Sequence, residues 1–314
     1  MSRLINYIIE DIRNHTENQD FSDTIGIPDS EFLRFLNDAQ YRIHSLITQQ
    51  HPQVFLEEDE QDITRDQEAY SLPYNAYLGS KISSIEFTST GLTKDYYPLR
   101  KKFLSSRYSG AEGDPSFYIR KNNQILLSPI PQNSTGKLRI NFIKSIPRVD
   151  KRRGTVATVT LDSSTNTITT LTFNVSTESI DSTALGKHTR FTVVDAEGGI
   201  KMKNIYIDSF DASTGVATIN SSFTYESGET IAVGDYIVVG SNSTTHTILD
   251  DSVERYLIAY CAAKIFHRDS STDMTAQTAE LNALEQDIVA SYADISDDLI
   301  EIPDVLPHND LWGW

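Results

Sequence analysis

The sequence predicts an α+β protein: a helical bundle formed by N- and C-terminal helices with a small antiparallel sheet, plus an inserted all-β barrel or sandwich domain and an extended C-terminal arm. Three observations predict it. Apolar residues recur at three- and four-residue spacing at both ends of the chain. Between those ends they alternate at period two, in short runs separated by Gly, Pro, Asn and Asp. Within the β-rich part the composition shifts: 30 of the 92 residues from Gly154 to Thr245 are Ser or Thr.

Leu4, Ile5, Ile8, Ile9 and Ile12 line one face of a short first helix. After a polar break, Asp29 or Ser30 caps a second helix, with Glu31 in its electropositive first turn. Its apolar stripe is Phe32, Leu33, Leu36, Ala39, Ile43, Leu46 and Ile47, and the HPQ at 51–53 stops it. Neither helix is stable alone, so each needs a partner. The helix expected near 251–268 supplies one, with Leu36, Ile43, Leu257 and Ile265 in a shared core.

From about residue 60 to 150, DITRDQEAYSLP, KISSIEF, PSFYIRK, NQILLSPI and KLRINFIK read as strands of a small antiparallel sheet. A short helix or turn is expected near PLRKKFLSSRY at 98–108. Beyond KRRG, runs such as TVATVTLD, HTRFTVVD and KNIYIDSFD alternate, and DSSTN, DAEGG, DASTG and ESGE mark the turns. Residues 152–246 therefore read as a separate all-β unit inserted into a core made of 1–151 and 247–298.

The last quarter returns to helix. Val253, Leu257, Ile258, Cys261, Ala262, Ile265 and Phe266 form a wide stripe, and Ala276, Ala279, Leu284, Ile288, Val289 and Tyr292 are the buried candidates of a final helix. Arg268 is the last cation, and eleven Asp or Glu residues follow it. The arm, 299–314, mixes acids and prolines with Ile302, Val305, Leu306, Leu311, Trp312 and Trp314. Large apolar side chains each lose about 1.5–3 kcal/mol of burial when left in water, so these six read as anchors for docking on a partner.

With 27 Lys and Arg against 44 Asp and Glu, the 314-residue chain has a net charge of −17. That excludes a protein that wraps nucleic acid by neutralising its phosphates. One cysteine excludes a disulfide framework, and no apolar run or basic leader suggests a membrane span or a secretion signal. The seven histidines include no pair at three or four residues, and no phosphate-binding glycine loop, GxSxG or HExxH is present. No catalytic residue, cofactor or metal is expected. Cys261, beside Ala262 and Ala263, reads as a buried inert thiol, and EEDEQD at 57–62 as a solvated charged face or loop. Two basic sets, Arg100, Lys101, Lys102 and Lys151, Arg152, Arg153, suit either phosphate or the carboxylates of a neighbouring subunit.

Five segments occur in an order that resembles a known family: DSEFLRFLNDAQYRIHSLI, then AYSLP, then KISSIEFTSTG with YYPLRKKF, then PSFYIRKNNQILLSPIP, and finally SVERYLIAYCAAKIFHRDSS. The order is similar to that of the head-to-tail adaptor, or connector, proteins of tailed bacteriophages, including the tail-tubular-protein-A type. The resemblance spans 25–150 and 248–295. It implies a non-enzymatic ring subunit of the virion neck, typically in twelve copies, made in the host cytoplasm. Such a ring would sit between portal protein and tail or nozzle protein and extend the channel for the genome, with DNA passing an acidic wall without specific binding. Two other classes fit the residues. One is a virion surface or adhesin-like glycan-binding protein using Tyr206, Phe210, Phe223, Tyr225 and Tyr236; the other is a carboxylate-dependent hydrolase.

Overall fold

The computed structural model describes residues 3–16, 27–73, 75–77, 81–92, 95–103, 111–161, 168–174, 185–186, 189–220, 224–225, 230–249, 251–267 and 275–297. The fold is mixed α+β, with four α-helices, several sheets and a closed barrel among these residues. The chain divides into two compact units, 1–44 with 146–288 and 45–145 with 289–314.

Helix α1 (Ile5–His15) buries Ile5, Ile8, Ile9 and Ile12, the stripe its spacing predicts. Arg13 and His15 occupy its last turn, where the helix dipole favours cations. Helix α2 (Asp29–Gln50) buries Phe32, Leu33, Phe35, Leu36, Ala39, Ile43 and Ile47. A second, polar stripe on α2, Asn37, Gln40, His44 and Thr48, is also buried.

The second unit contains eight strands: β1 (Leu56–Asp62), β2 (Ala69–Ser71), β3 (Ile82–Thr88), β4 (Tyr97–Pro98), β5 (Arg100–Lys102), β6 (Phe117–Lys121), β7 (Gln124–Ser128) and β8 (Lys137–Ile143). In place of one small sheet they make two, in the orders β1-β8-β3-β4 and β2-β7-β6-β5. All pairings are antiparallel except β5 with β6. Tyr70, Ile125 and Leu127 from one sheet meet Ile85, Phe87, Leu138, Ile140 and Phe142 from the other in a common core, which makes a sandwich. Segment 98–108 is not helical where it is described: 100–102 is a strand, drawn into the second sheet by backbone pairing with β6.

The first unit continues with β9 (Arg148–Val149), β10 (Gly154–Leu161), β11 (Ile168–Phe173), β12 (Arg190–Val194), β13 (Ile200–Asp211), β14 (Val216–Asn220), β15 (Thr224–Tyr225), β16 (Tyr236–Val239) and β17 (Ser243–Thr244). Antiparallel pairing runs β12-β16-β10-β11-β14-β13, and β13 returns to β12, so six strands close a barrel. β15 continues the path of β14 along β13, pairing Thr224 with Lys203 and Tyr225 with Met202. Val156, Leu171, Phe173, Phe191, Val193, Met202, Ile205, Ile207 and Ile237 fill the interior. Outside, Thr158 faces Thr172 and Thr170 faces Thr218 across neighbouring strands, which places these four threonines on the outer side of the barrel, whereas Thr192 of β12 is buried.

Two predicted turns form as their chemistry requires. In DAEGG the Asp195 carboxylate accepts hydrogen bonds from the Glu197 and Gly199 N–H groups, and Gly198 has φ 91°. In DASTG, Asp211 accepts from Ser213 N–H and from the Thr214 hydroxyl. DSSTN and ESGE lie outside the described residues.

Beside the barrel, β9 pairs parallel with β17. The Asn37 side chain holds both sides of one peptide position there, donating to Val149 O at 2.9 Å and accepting from Val149 N at 2.9 Å. Helix α3 (Glu254–Phe266) packs along α1 and buries Tyr256, Leu257, Cys261, Ala262, Ala263 and Ile265. Ile258 and Phe266 are half-buried. Helix α4 (Thr275–Asp297) exposes Ala276 and Ala279 but buries Ile288, Val289 and Tyr292.

Candidate functional site

The acidic run 57–62 is a strand with no apolar face. β1 is the end strand of its sheet and is held by its ladder to β8. Glu58, Glu60 and Asp62 are exposed, while Glu57 and Asp59 are half-buried on the other face. Arg139 of β8 is the counter-charge. Its guanidinium lies 3.0 Å from Glu60, 3.5 Å from Glu58 and 3.7 Å from Glu86, and 3.9 Å above the Tyr96 ring. The Tyr96 hydroxyl donates to Glu60 at 2.9 Å; burial and this bond push its pKa up to about 12. The bonds from Arg139 and Tyr96 hold the Glu60 carboxyl below its usual range. Lys144 reaches Glu57 at 2.9 Å, and Lys137 reaches Glu60 at 3.5 Å. Three cations thus face six carboxylates (Glu57, Glu58, Asp59, Glu60, Asp62 and Glu86), and the surface stays acidic.

The two basic sets have different environments and lie in different units. Lys151 Nζ is 2.8 Å from Asp29 Oδ2, and Arg13 binds the other carboxylate oxygen. Burial raises the Asp29 pKa, but these two cations outweigh it and leave the group below its ordinary value. Arg153 grips Asp150 through two nitrogens, at 2.6 and 3.0 Å, while Asp150 accepts the Val239 N–H of the barrel at 2.8 Å. Arg152 stacks over Tyr236 at 5.0 Å. This set therefore anchors the entry to the barrel. Arg100, Lys101 and Lys102, by contrast, are exposed along β5, the end strand of its sheet. Lys102 Nζ lies 4.1 Å above the Phe117 ring, and Arg100 and Lys101 enter no ion pair among the described residues. Phe103, next in the chain, is 85% exposed.

The described residues include one buried thiol and two clefts. No group of three or more His, Cys, Asp or Glu residues able to hold a metal occurs among them, and none of their helices is long and apolar enough to cross a membrane. Cys261 is buried, and burial raises its thiol pKa, which opposes thiolate formation. A cleft of 510 Å³ is lined by His15, Glu254, Arg255, Ile258, Ala259 and Glu280. Its carboxylates are already in ion pairs, Glu254 with Arg3 at 2.6 Å and Glu280 with Arg255 at 3.1 Å. Sequence reasoning missed the buried Tyr256, whose hydroxyl donates to Glu285 at 2.8 Å while Arg42 binds the same carboxylate at 2.7 Å. No spacing signal could have joined residues from three helices.

Of the aromatics considered for glycan, Phe210 packs on the barrel core against Phe173, with ring centroids 5.7 Å apart. Tyr206 and Tyr236 are half-buried beneath Arg190 and Arg152. Phe223 and the side chain of Tyr225 lie outside the described residues, as do all six anchors of the arm, Ile302, Val305, Leu306, Leu311, Trp312 and Trp314.

No curated protein matches the chain. Residues 3–158, which take in α1, α2, the whole sandwich and the start of β10, match the family described as SU10 adaptor protein. The chain belongs to this family of phage head-to-tail adaptors, a structural family of virion components rather than an enzyme family.

Proposed function

We propose that the chain is the repeating subunit of a ring in the neck of a tailed phage, seated between the portal and the tail and extending the DNA channel. The family match over 3–158 carries this reading. The net charge of −17 supports it, because an acidic wall repels phosphates and lets DNA slide without being held. Twelve copies is the stoichiometry we assign. Residues 152–246 serve as an inserted module in a core of 1–151 and 247–298. The arm, 299–314, docks on the portal or a neighbouring subunit through Ile302, Val305, Leu306, Leu311, Trp312 and Trp314.

Electron microscopy of the purified protein, alone and mixed with the portal of the same phage, tests the reading. Closed rings with a bore wide enough for duplex DNA and predominantly acidic lumen residues are expected. Particles that never form rings under either condition, or a bore lined mainly by Lys and Arg, would overturn it. Deleting 308–314 tests the arm: the subunit should melt as before but fail to join heads to tails.

A further inference from the structure

The sandwich ends in strands of opposite charge on opposite sides. On one side β1 ends its sheet, and Gln61 reaches the Ser71 carbonyl of β2, the end strand of the facing sheet, at 2.9 Å. On the other side β4 and β5 end the two sheets, with Leu99 alone between them. Side chains alternate along a strand. Glu58, Glu60 and Asp62 therefore lie on one face of β1, with Glu57 and Asp59 on the other. Along β5, Arg100 and Lys102 lie on one face and Lys101 on the other, all exposed.

We infer that β5 of one copy adds to β1 of the next. An end strand presents backbone N–H and C=O groups without a ladder partner, and an added strand completes the ladder. Both strands have their charge on both faces, so opposite signs meet whatever the register or direction. Pairing β1 with β1, or β5 with β5, sets like charges opposite each other and disfavours a two-fold dimer. The joined surfaces are different and lie at opposite sides of the sandwich. Such a head-to-tail contact repeats, closing into a ring if the rotation allows. Phe103, 85% exposed beside the basic strand, supplies apolar area for the same junction. The inference rests on the ring reading and deepens it by naming the contact.

Two charge-reversed chains test it: one with Arg100→Glu and Lys101→Glu, the other with Glu58→Lys, Asp59→Lys and Asp62→Lys. Sedimentation at low salt, where such charges are least screened, should show wild type associating and each variant alone associating about tenfold or more weakly. Mixing the two variants should restore association, because acid then faces base at every junction. Circular dichroism melts report folding; Arg100→Gln with Lys101→Gln, which weakens association without reversing charge, replaces a variant that misfolds. Variants that associate like wild type, or a mixture that does not recover, overturn the edge contact while leaving the ring reading intact. Wild type that stays monomeric at low salt also overturns the edge contact, and microscopy with the portal then decides the ring reading separately.

Discussion

The barrel and the sandwich are both built from strands around an apolar core, yet they treat their edges differently. In the barrel β12 pairs with both β13 and β16, and every strand of the closed circuit has two neighbours. In the sandwich four strands end their sheets, and two of these, β1 and β5, are charged along their length. Closure removes the template for further strand addition, whereas an open edge keeps it and must be managed by charge. The basic runs follow the same division. Lys151 and Arg153 are held in ion pairs next to the closed barrel, while Arg100 and Lys101 lie exposed on the open edge.

The comparison breaks most severely if closure does not confer independence. Residues 152–246 expressed alone should give a β-type circular dichroism spectrum and one cooperative melt; a fragment without a transition would show that the barrel depends on its surroundings. Within the whole chain, Phe191→Ala should cost about 3–5 kcal/mol in denaturant unfolding, since Phe191 is fully buried and stacks edge-on against Phe173 at 5.7 Å. Phe142→Ala should cost a similar amount in the sandwich, and a markedly smaller cost there would mean that the open core is the looser one. Asn37→Ala should cost about 1–3 kcal/mol, because it leaves the buried Val149 N–H without its side-chain acceptor.

A pH series sharpens the picture at the base of the barrel. Burial lowers the His246 pKa below its ordinary 6.5, against the opposing pull of Asp195 and Glu197. As pH falls the unfolded chain takes up the proton first, so this contribution to stability is lost from about pH 6.5 downward. His246→Gln should flatten that part of the stability profile; an unchanged slope would assign it to other groups. The smallest effect is expected at the open edge itself. Arg100→Glu with Lys101→Glu should change monomer stability by less than about 0.5 kcal/mol, because exposed charges contribute little.

Much of this architecture was legible in the sequence where one face of an element is apolar. The α1 stripe and the alternation of β10 to β13 follow from that rule, and DAEGG and DASTG follow from turn chemistry. β1 escaped it because LEEDEQD alternates between two polar faces and is a strand only through its backbone ladder to β8. β5 escaped for the same reason, since RKK has no buried side chain. On α2 the burial of Asn37 and Gln40 depends on the backbone of Val149 and Pro147, more than 100 residues away, which no helical spacing reveals. The exposed Ala276 and Ala279 show the converse, since alanine favours a helix without specifying which face is covered. Among the proposed contact residues, the basic residues could be found by composition, but only topology separates an edge strand from an internal clamp.

The clasp between Asn37 and Val149 has a consequence for the order in which the molecule is made. It joins positions 112 residues apart, and the unit that contains it draws on 1–44 and 146–288. Synthesis therefore delivers α2 early and leaves it waiting, while the core of the sandwich, between Ile63 and Phe142, emerges as one uninterrupted stretch. A nascent chain folds segments as they become complete, and short loops close at lower entropic cost than long ones. The sandwich, with its oppositely charged edges, is then complete in the nascent chain before α3 has been made.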